Sequence, residues 1–358
     1  MKILHFSDTH LGFSEYTRIN PATGLNQREE DFYAAWDQVI EQFHTPRPTN
    51  RAIRVALESI QKISNAGFPF IMVAGNHETP RIQTTGSIFE SIALFRNVYA
   101  AFHNSYEKFV INKVAFHCVP HCSLTDDLAK ALHSIKLDKA ARYNILVSHA
   151  AWAGENYYGM GEFNEQRLAD VEKMLNIQFD YIALGHYHRQ VNIKRHVCYS
   201  GSTEKTSLNE SGASNGFLTY DLEKKEKSYH SLKTRTMVRI PPVDCSGLSS
   251  QKIYSLLATL AGQHTKDAIV QLVLKNLEND TFLRLDSKKI EDIFSDAFYL
   301  EKQLLKAVQD IDQPATGSYI DSLPIEFERY LKSVEMKELV KSRLAQLGKN
   351  YLAQFEKL

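Results

Sequence analysis

Four short polar clusters, each placed directly after an apolar run, constrain this chain more than any other feature. They are Asp8-Thr9-His10, Gly75-Asn76-His77-Glu78, His149 and Gly185-His186-Tyr187-His188. The runs before them, residues 2–6, 68–74, 143–147 and 179–184, read as strands, by alternation or by unbroken apolar character. Side chains two apart on an extended segment point the same way, so Asp8 pairs with His10 and His186 with His188. Open α/β sheets gather their ligands beyond the carboxyl ends of the strands, which is where all four clusters sit.

Helical segments separate these strands. One starts near Arg28, with Phe32, Trp36, Val39 and Ile40 at helical spacing, and breaks at Thr45-Pro46-Arg47-Pro48. A second runs from about Asn50 to Ala66 and stops at Gly67. A further strand lies near 114–119, and a helix from about Glu165 to Leu175 precedes the strand at 179–184. This alternation predicts an α/β sandwich. Residues 216–221 and 227–232 read as a hairpin. After Arg235 a new unit begins, with a strand at 238–240, a helix carrying Ile253, Leu256, Leu257 and Leu260, and a strand at 268–275. Asp310 to Ser318 reads as a linker. Beyond it the tail from Pro324 is helical, and Met336, Val340, Leu344, Leu347, Tyr351 and Phe355 form one stripe. The expected division is 1–235, 236–312 and 313–358.

Lys plus Arg balances Asp plus Glu at 42 each, so nucleic-acid binding must rely on local patches. No apolar run reaches the length of a membrane span, and the N-terminus lacks a signal peptide, which leads us to expect a cytoplasmic protein without a membrane partner. Cys118, Cys122, Cys198 and Cys245 are too few for a disulfide framework in so long a chain. The segment His117 to Cys122 reads as a strand entering a loop rather than as a zinc site.

Each cluster alone is a weak signal, because Asp-x-His recurs by chance and a single histidine at a strand end is usually structural. Taken in order, each after a strand, they are hard to obtain by accident. Imidazole, carboxylate and amide donors suit Mn²⁺, Fe²⁺ or Zn²⁺ rather than Ca²⁺. The order resembles the calcineurin-like phosphoesterases, and the finer match is to SbcD-type DNA-repair exonucleases. Residues 2–12, Arg28-Glu29-Glu30-Asp31-Phe32, Phe43 to Asn50 and Tyr199-Ser200-Gly201-Ser202-Thr203-Glu204 carry that similarity.

The resemblance implies a four-layer αββα metallophosphoesterase sandwich with a small α+β capping domain and a helical C-terminal tail. It implies two divalent metal ions, manganese above all. One would be held by Asp8, His10 and His188, the other by Asn76, His149 and His186. His77 matches the histidine that assists the leaving oxygen as a general acid, and His44 one that stabilises the reacting phosphate. Implied partners are DNA, a second copy of the chain, and a coiled-coil SMC-like ATPase gripped by the C-terminal helices. Arg18, Arg47, Arg81, Arg189 and Lys205 lie near the motif loops and are candidate phosphate contacts, with solvated surface charge an equal reading for each.

One part of the family pattern is missing. Relatives end a strand just before the Phe-His motif with Gly-Asp, and that aspartate bridges both metals. Here Glu41-Gln42 runs straight into Phe43-His44, and the nearest acids, Asp37 and Glu41, sit in a helical pattern. Either the chain has lost the segment together with its activity, or the natural protein retains a segment that this sequence lacks. Retention of the other metal-type residues favours the second. The expected function is metal-dependent DNA phosphodiester hydrolysis. The alternatives are a catalytically impaired scaffold for DNA and the ATPase, or a phosphodiesterase or nucleotidase for small substrates.

Overall fold

The strand Tyr143–His149 shows how this sequence builds a sandwich. Ile145 enters one core and its neighbour Leu146 the other, as the period of two along a strand requires. The neighbouring strand repeats the division: Tyr181 and Ala183 enter the first core, Ile182 and Leu184 the second. Each fully buried isoleucine or leucine among them contributes about 1.5–3 kcal/mol.

The protein is described by a computed structural model covering residues 1–40 except 12 and 17, 50–77, 87–307 except 155, 162–164 and 263–264, and residues 327, 331, 343, 344, 347 and 348. Met1–Lys306 form one compact unit and Ala307–Leu358 a second.

In the first unit, six strands run in the order Val191–Lys194, Val197–Tyr199, Tyr181–Gly185, Tyr143–His149, Val114–Val119 and Glu107–Ile111. The middle four are parallel to one another, and both edge strands are antiparallel to their neighbours. One face is covered by the helices Thr125–His133 and Val171–Leu175, through Leu128, Ala131, Leu132 and Val171. The other face meets Leu218, Tyr220 and Leu222, together with Ile3, Ile71 and Val73, from the second layer of strands. That layer holds Lys2–His5, Gly216–Asp221 and Glu226–Ser231 as an antiparallel sheet, and Phe70–Val73 parallel to Val98–Ala101. The helices Gln27–Ile40 and Asn50–Asn65 cover its outer side, with Tyr33, Trp36, Val55 and Ile63 against Phe6 and Phe70. The result is the expected αββα order.

Three local expectations are corrected. The helix expected from Glu165 begins at Val171, where Asp170 accepts from the Lys173 amide. Before it, Arg167–Leu168 pairs with Ala151 and Trp152 instead. The strand Phe70–Val73, whose unbroken apolar character suits a strand covered on both faces, is half-buried along its whole length. Among the described residues it pairs only with Val98–Ala101, and Lys2–His5 only with Gly216–Asp221, so each has an edge without a strand beside it. Phe6 and Phe70 stack there, with ring centroids 6.0 Å apart. Finally, the region after Arg235 holds more than its sequence pattern suggests. Met237–Arg239, Val243–Asp244 and Tyr299–Lys306 all pair parallel to Ile269–Leu277, with three helices, Ser250–Ala261, Asn279–Arg284 and Ser287–Ile293. This part has a core of its own around Ile253, Leu257, Val270, Leu272 and Ile290.

It is tied to the sandwich by charge. Arg235 holds Asp31 with both Nε and Nη2 and Asp267 with Nη1, and its guanidinium lies 4.0 Å from the Phe298 ring centre. In the second unit, Leu331, Leu344 and Leu347 are helical, and Leu344 and Leu347 are exposed. The rest of the apolar stripe, Met336, Val340, Tyr351 and Phe355, lies outside the described residues.

Candidate metal centre

Asp8, His10 and His186 all adopt positive φ, at 50°, 41° and 102°. Residues with a β-carbon avoid this region, and such outliers persist where the surroundings over-determine them. Here the surroundings are one another. The Asp8 carboxylate accepts the His186 backbone N–H at 2.9 Å, and its other oxygen lies 3.9 Å from His149 Nδ1. His10 Nε2 and His188 Nε2 are 3.0 Å apart. Donor atoms of Asp8, His10 and His188 all fall within 4.8 Å of one another. His149 Nε2 lies 3.1 Å from Asn76 Oδ1, and the His149 and His186 rings are 5.3 Å apart. Gly185 allows this approach, since a β-carbon there would sit 3.0 Å from His149 Nδ1. The six residues expected as metal ligands therefore converge from four separate strand ends.

Electrostatics puts Asp8, His10 and His149 in a ligating state. Burial pushes His10 and His149 down to about 4, so both imidazoles are neutral at pH 7. Burial works the other way on Asp8, but His149, His188, His10 and the Ser7 hydroxyl outweigh it and hold the carboxyl at about 2. A charged carboxylate beside neutral imidazoles is what a divalent ion needs. The donor set fits an ion of the Mn, Fe or Zn kind. Asp8 is the one carboxylate in the three-residue cluster.

Other sequence candidates fall differently. His77 is exposed at the rim, 5.8 Å from the His10 ring. His44, Arg47 and Arg81 lie outside the described residues, as does the junction where Gly-Asp is missing. Lys205 is buried and donates to Thr234 Oγ1, so it is not presented to a ligand in solvent. Arg18 donates to the Phe298 carbonyl at 2.7 Å and lies over that residue's ring, which makes it a tie between segments. Arg189 is exposed and donates to the Asn209 carbonyl.

Two other motifs quoted from the sequence meet in space. Arg28, fully buried, pairs with Asp31 at 2.7 Å and with Glu204 at 3.6 Å. Two carboxylates were not among the site residues read from the sequence: Glu165 contacts His186 and Glu210 contacts His188. Glu165 sat inside an expected helix, and Glu210 follows no motif, so nothing local marked either one.

A four-layer sandwich with histidine, aspartate and asparagine donors at its strand ends defines a metallophosphoesterase, and residues 1–190 match the calcineurin-like phosphoesterase family. The chain belongs to that family. Among curated proteins it is similar to the DNA double-strand break repair protein Mre11 of Thermoplasma acidophilum, 28% identical over 240 residues, which cover 60% of this chain and 58% of that protein. The Mre11 of Haloferax volcanii is 27% identical over 234 residues, covering 58% and 47%. That of Methanosarcina mazei is 23% identical over 315 residues, covering 82% and 47%. The chain thus matches about half the length of these relatives.

Proposed function

We propose that this chain is the nuclease subunit of a DNA-repair complex, of the kind that hydrolyses DNA phosphodiesters with two divalent metal ions, its own activity limited by the missing Gly-Asp. The observation that carries the reading is the convergence of Asp8, His10, Asn76, His149, His186 and His188. Similarity to proteins named for double-strand break repair supports DNA as the substrate.

Asp8, His10 and His188 would hold one ion, and Asn76, His149 and His186 the other, with manganese the expected metal. When bound, such ions supply Lewis-acid polarisation of the phosphate and a water of lowered pKa. The chain's own residues do the rest. The Asp8 carboxylate, held charged, offsets the positive charge and anchors the strained His186 backbone. His77, exposed beside His10, stands ready to give a proton to the leaving oxygen. His44 would stabilise the reacting phosphate. Residues 236–312 would narrow access to DNA, and 313–358 would grip the coiled-coil ATPase, with two copies of the chain forming a dimer.

A second reading has a specific observation in its favour. The bridging Gly-Asp is absent, so this chain would be an impaired enzyme that still serves as a scaffold for DNA and the ATPase. A phosphodiesterase for small substrates is the third reading. Incubation with Mn²⁺ and either linear duplex DNA or a chromogenic phosphodiester separates them. DNA cleavage supports the nuclease, turnover of the small ester alone supports the third reading, and metal-independent DNA binding without cleavage supports the scaffold.

A further inference from the structure

The two histidines of Gly185-His186-Tyr187-His188 are gripped from different sides. His188 Nδ1 lies 3.0 Å from Glu210 Oε1, while its Nε2 faces His10 Nε2. His186 instead meets Glu165 Oε1 with Nε2, at 2.6 Å. On a regular strand, side chains two apart would face the same way. The His186 φ of 102° breaks that regularity.

Both acids are buried and anchored. The Glu210 side chain is 7% exposed, and Thr206 donates to it through its hydroxyl at 2.6 Å and its amide at 3.3 Å. The Glu165 side chain is 2% exposed, and its Oε1 also accepts the Met160 and Gly161 amides. Glu165 Oε1 accepts two backbone amides and Glu210 Oε1 the Thr206 hydroxyl, so each oxygen acts as an acceptor and the hydrogen in each contact belongs to the ring. In a neutral imidazole the other nitrogen then carries the lone pair.

We propose that Glu210 and Glu165 are positioning residues that fix opposite tautomers, committing His188 through Nε2 and His186 through Nδ1 to the metal centre. The metal-facing half of this statement rests on the nuclease reading above; the tautomer half does not. The arrangement follows the general rule that a ligating histidine gives its other N–H to a carboxylate, which orients the ring and raises its basicity. Each acid acts through its histidine.

The test uses the full chain labelled with ¹⁵N-histidine, free of metal, at pH 7.5. Long-range ¹H–¹⁵N correlations report the tautomer, with His186→Gln and His188→Gln used for assignment. The expected result is Nδ1–H for His188 and Nε2–H for His186. Glu210→Ala should release the His188 preference, while Glu210→Gln, whose amide oxygen still accepts, should keep it. The corresponding Glu165 variants should behave in the same way toward His186. Mn²⁺ affinity measured by calorimetry should fall roughly 10–100-fold in each alanine variant and recover largely in each glutamine variant. Circular dichroism excludes misfolded variants. The same tautomer in both rings, or tautomers indifferent to both alanine changes, would overturn the proposal while leaving metal binding and the nuclease reading intact. The expected tautomers in a chain that binds no Mn²⁺ would overturn the metal-facing half together with the nuclease reading.

Discussion

His10 Nε2 and His188 Nε2 lie 3.0 Å apart although 178 residues separate them in the chain. Two imidazoles this close, with Asp8 beside them, are stable as neutral ligands and poorly stable as a charged pair. Burial and the neighbouring His188 both hold His10 down, in keeping with that. The pair closes one side of the candidate centre; the bridging aspartate that the family resemblance leads us to expect before Phe43 is not in the sequence.

That shortage gives the first prediction. The chain as it stands should hold at most a single Mn²⁺ tightly and cleave DNA weakly. Inserting a strand ending in Gly-Asp between Gln42 and Phe43 should raise the occupancy to two and restore cleavage, since a bridging anion ligates both ions and screens their repulsion. Metal content by plasma mass spectrometry checks the count. Robust Mn²⁺-dependent cleavage by the unaltered chain would mean that another group supplies the bridge.

In the restored chain, His77→Ala should lower the cleavage rate by about 10²–10⁴-fold, the usual worth of a general acid. Its Mn²⁺ affinity should stay nearly unchanged, because His77 is exposed at the rim while Asn76 meets His149. Loss of metal in this variant would move His77 into the ligand set.

Arg235 is one of the ties between the sandwich and the part that follows it within Met1–Lys306. Arg235→Ala leaves Asp31 without two of its hydrogen bonds and removes the contact with Phe298. Breaking a largely buried pair in this way should cost about 3 kcal/mol, read from chemical denaturation. A change below about 1 kcal/mol, the value of an exposed pair, would show that the tie is dispensable.

Acid should weaken the metal-free fold through His5. Burial pushes His5 from 6.5 down to about 4, against its bond to the Leu184 carbonyl. The unfolded chain therefore binds the proton first, and stability rises with pH across this window. The contribution is complete above about pH 6.5 and is lost as pH falls toward 4. Melting curves of the chain and of His5→Gln should converge as pH drops; parallel curves would remove His5 from the account.

The sandwich and the site were largely legible because strand ends carry their signal locally. Gly185-His186-Tyr187-His188 announces itself in four letters, and the run before it is a strand by composition alone. What sequence could not supply was contact between distant segments. Glu210 reaches His188 across a short 3₁₀ turn, Leu208–Glu210, that no pattern marks. Glu165 reads as helical until its partner is seen, and its own segment is shaped by Arg167–Leu168 pairing with Ala151 and Trp152. Arg18 and Lys205 look like surface cations, because sequence proximity to a motif does not reveal that Phe298 and Thr234 wait to receive them.

The central claim is that these side chains hold a divalent ion, and calorimetric titration of the metal-free chain with Mn²⁺ tests it most directly, beside Asp8→Asn and His188→Gln. The account predicts saturable binding to the unaltered chain and at least a tenfold loss of affinity in each variant, a difference of about 1.4 kcal/mol or more. Absence of binding, or binding that both variants retain unchanged, would contradict it.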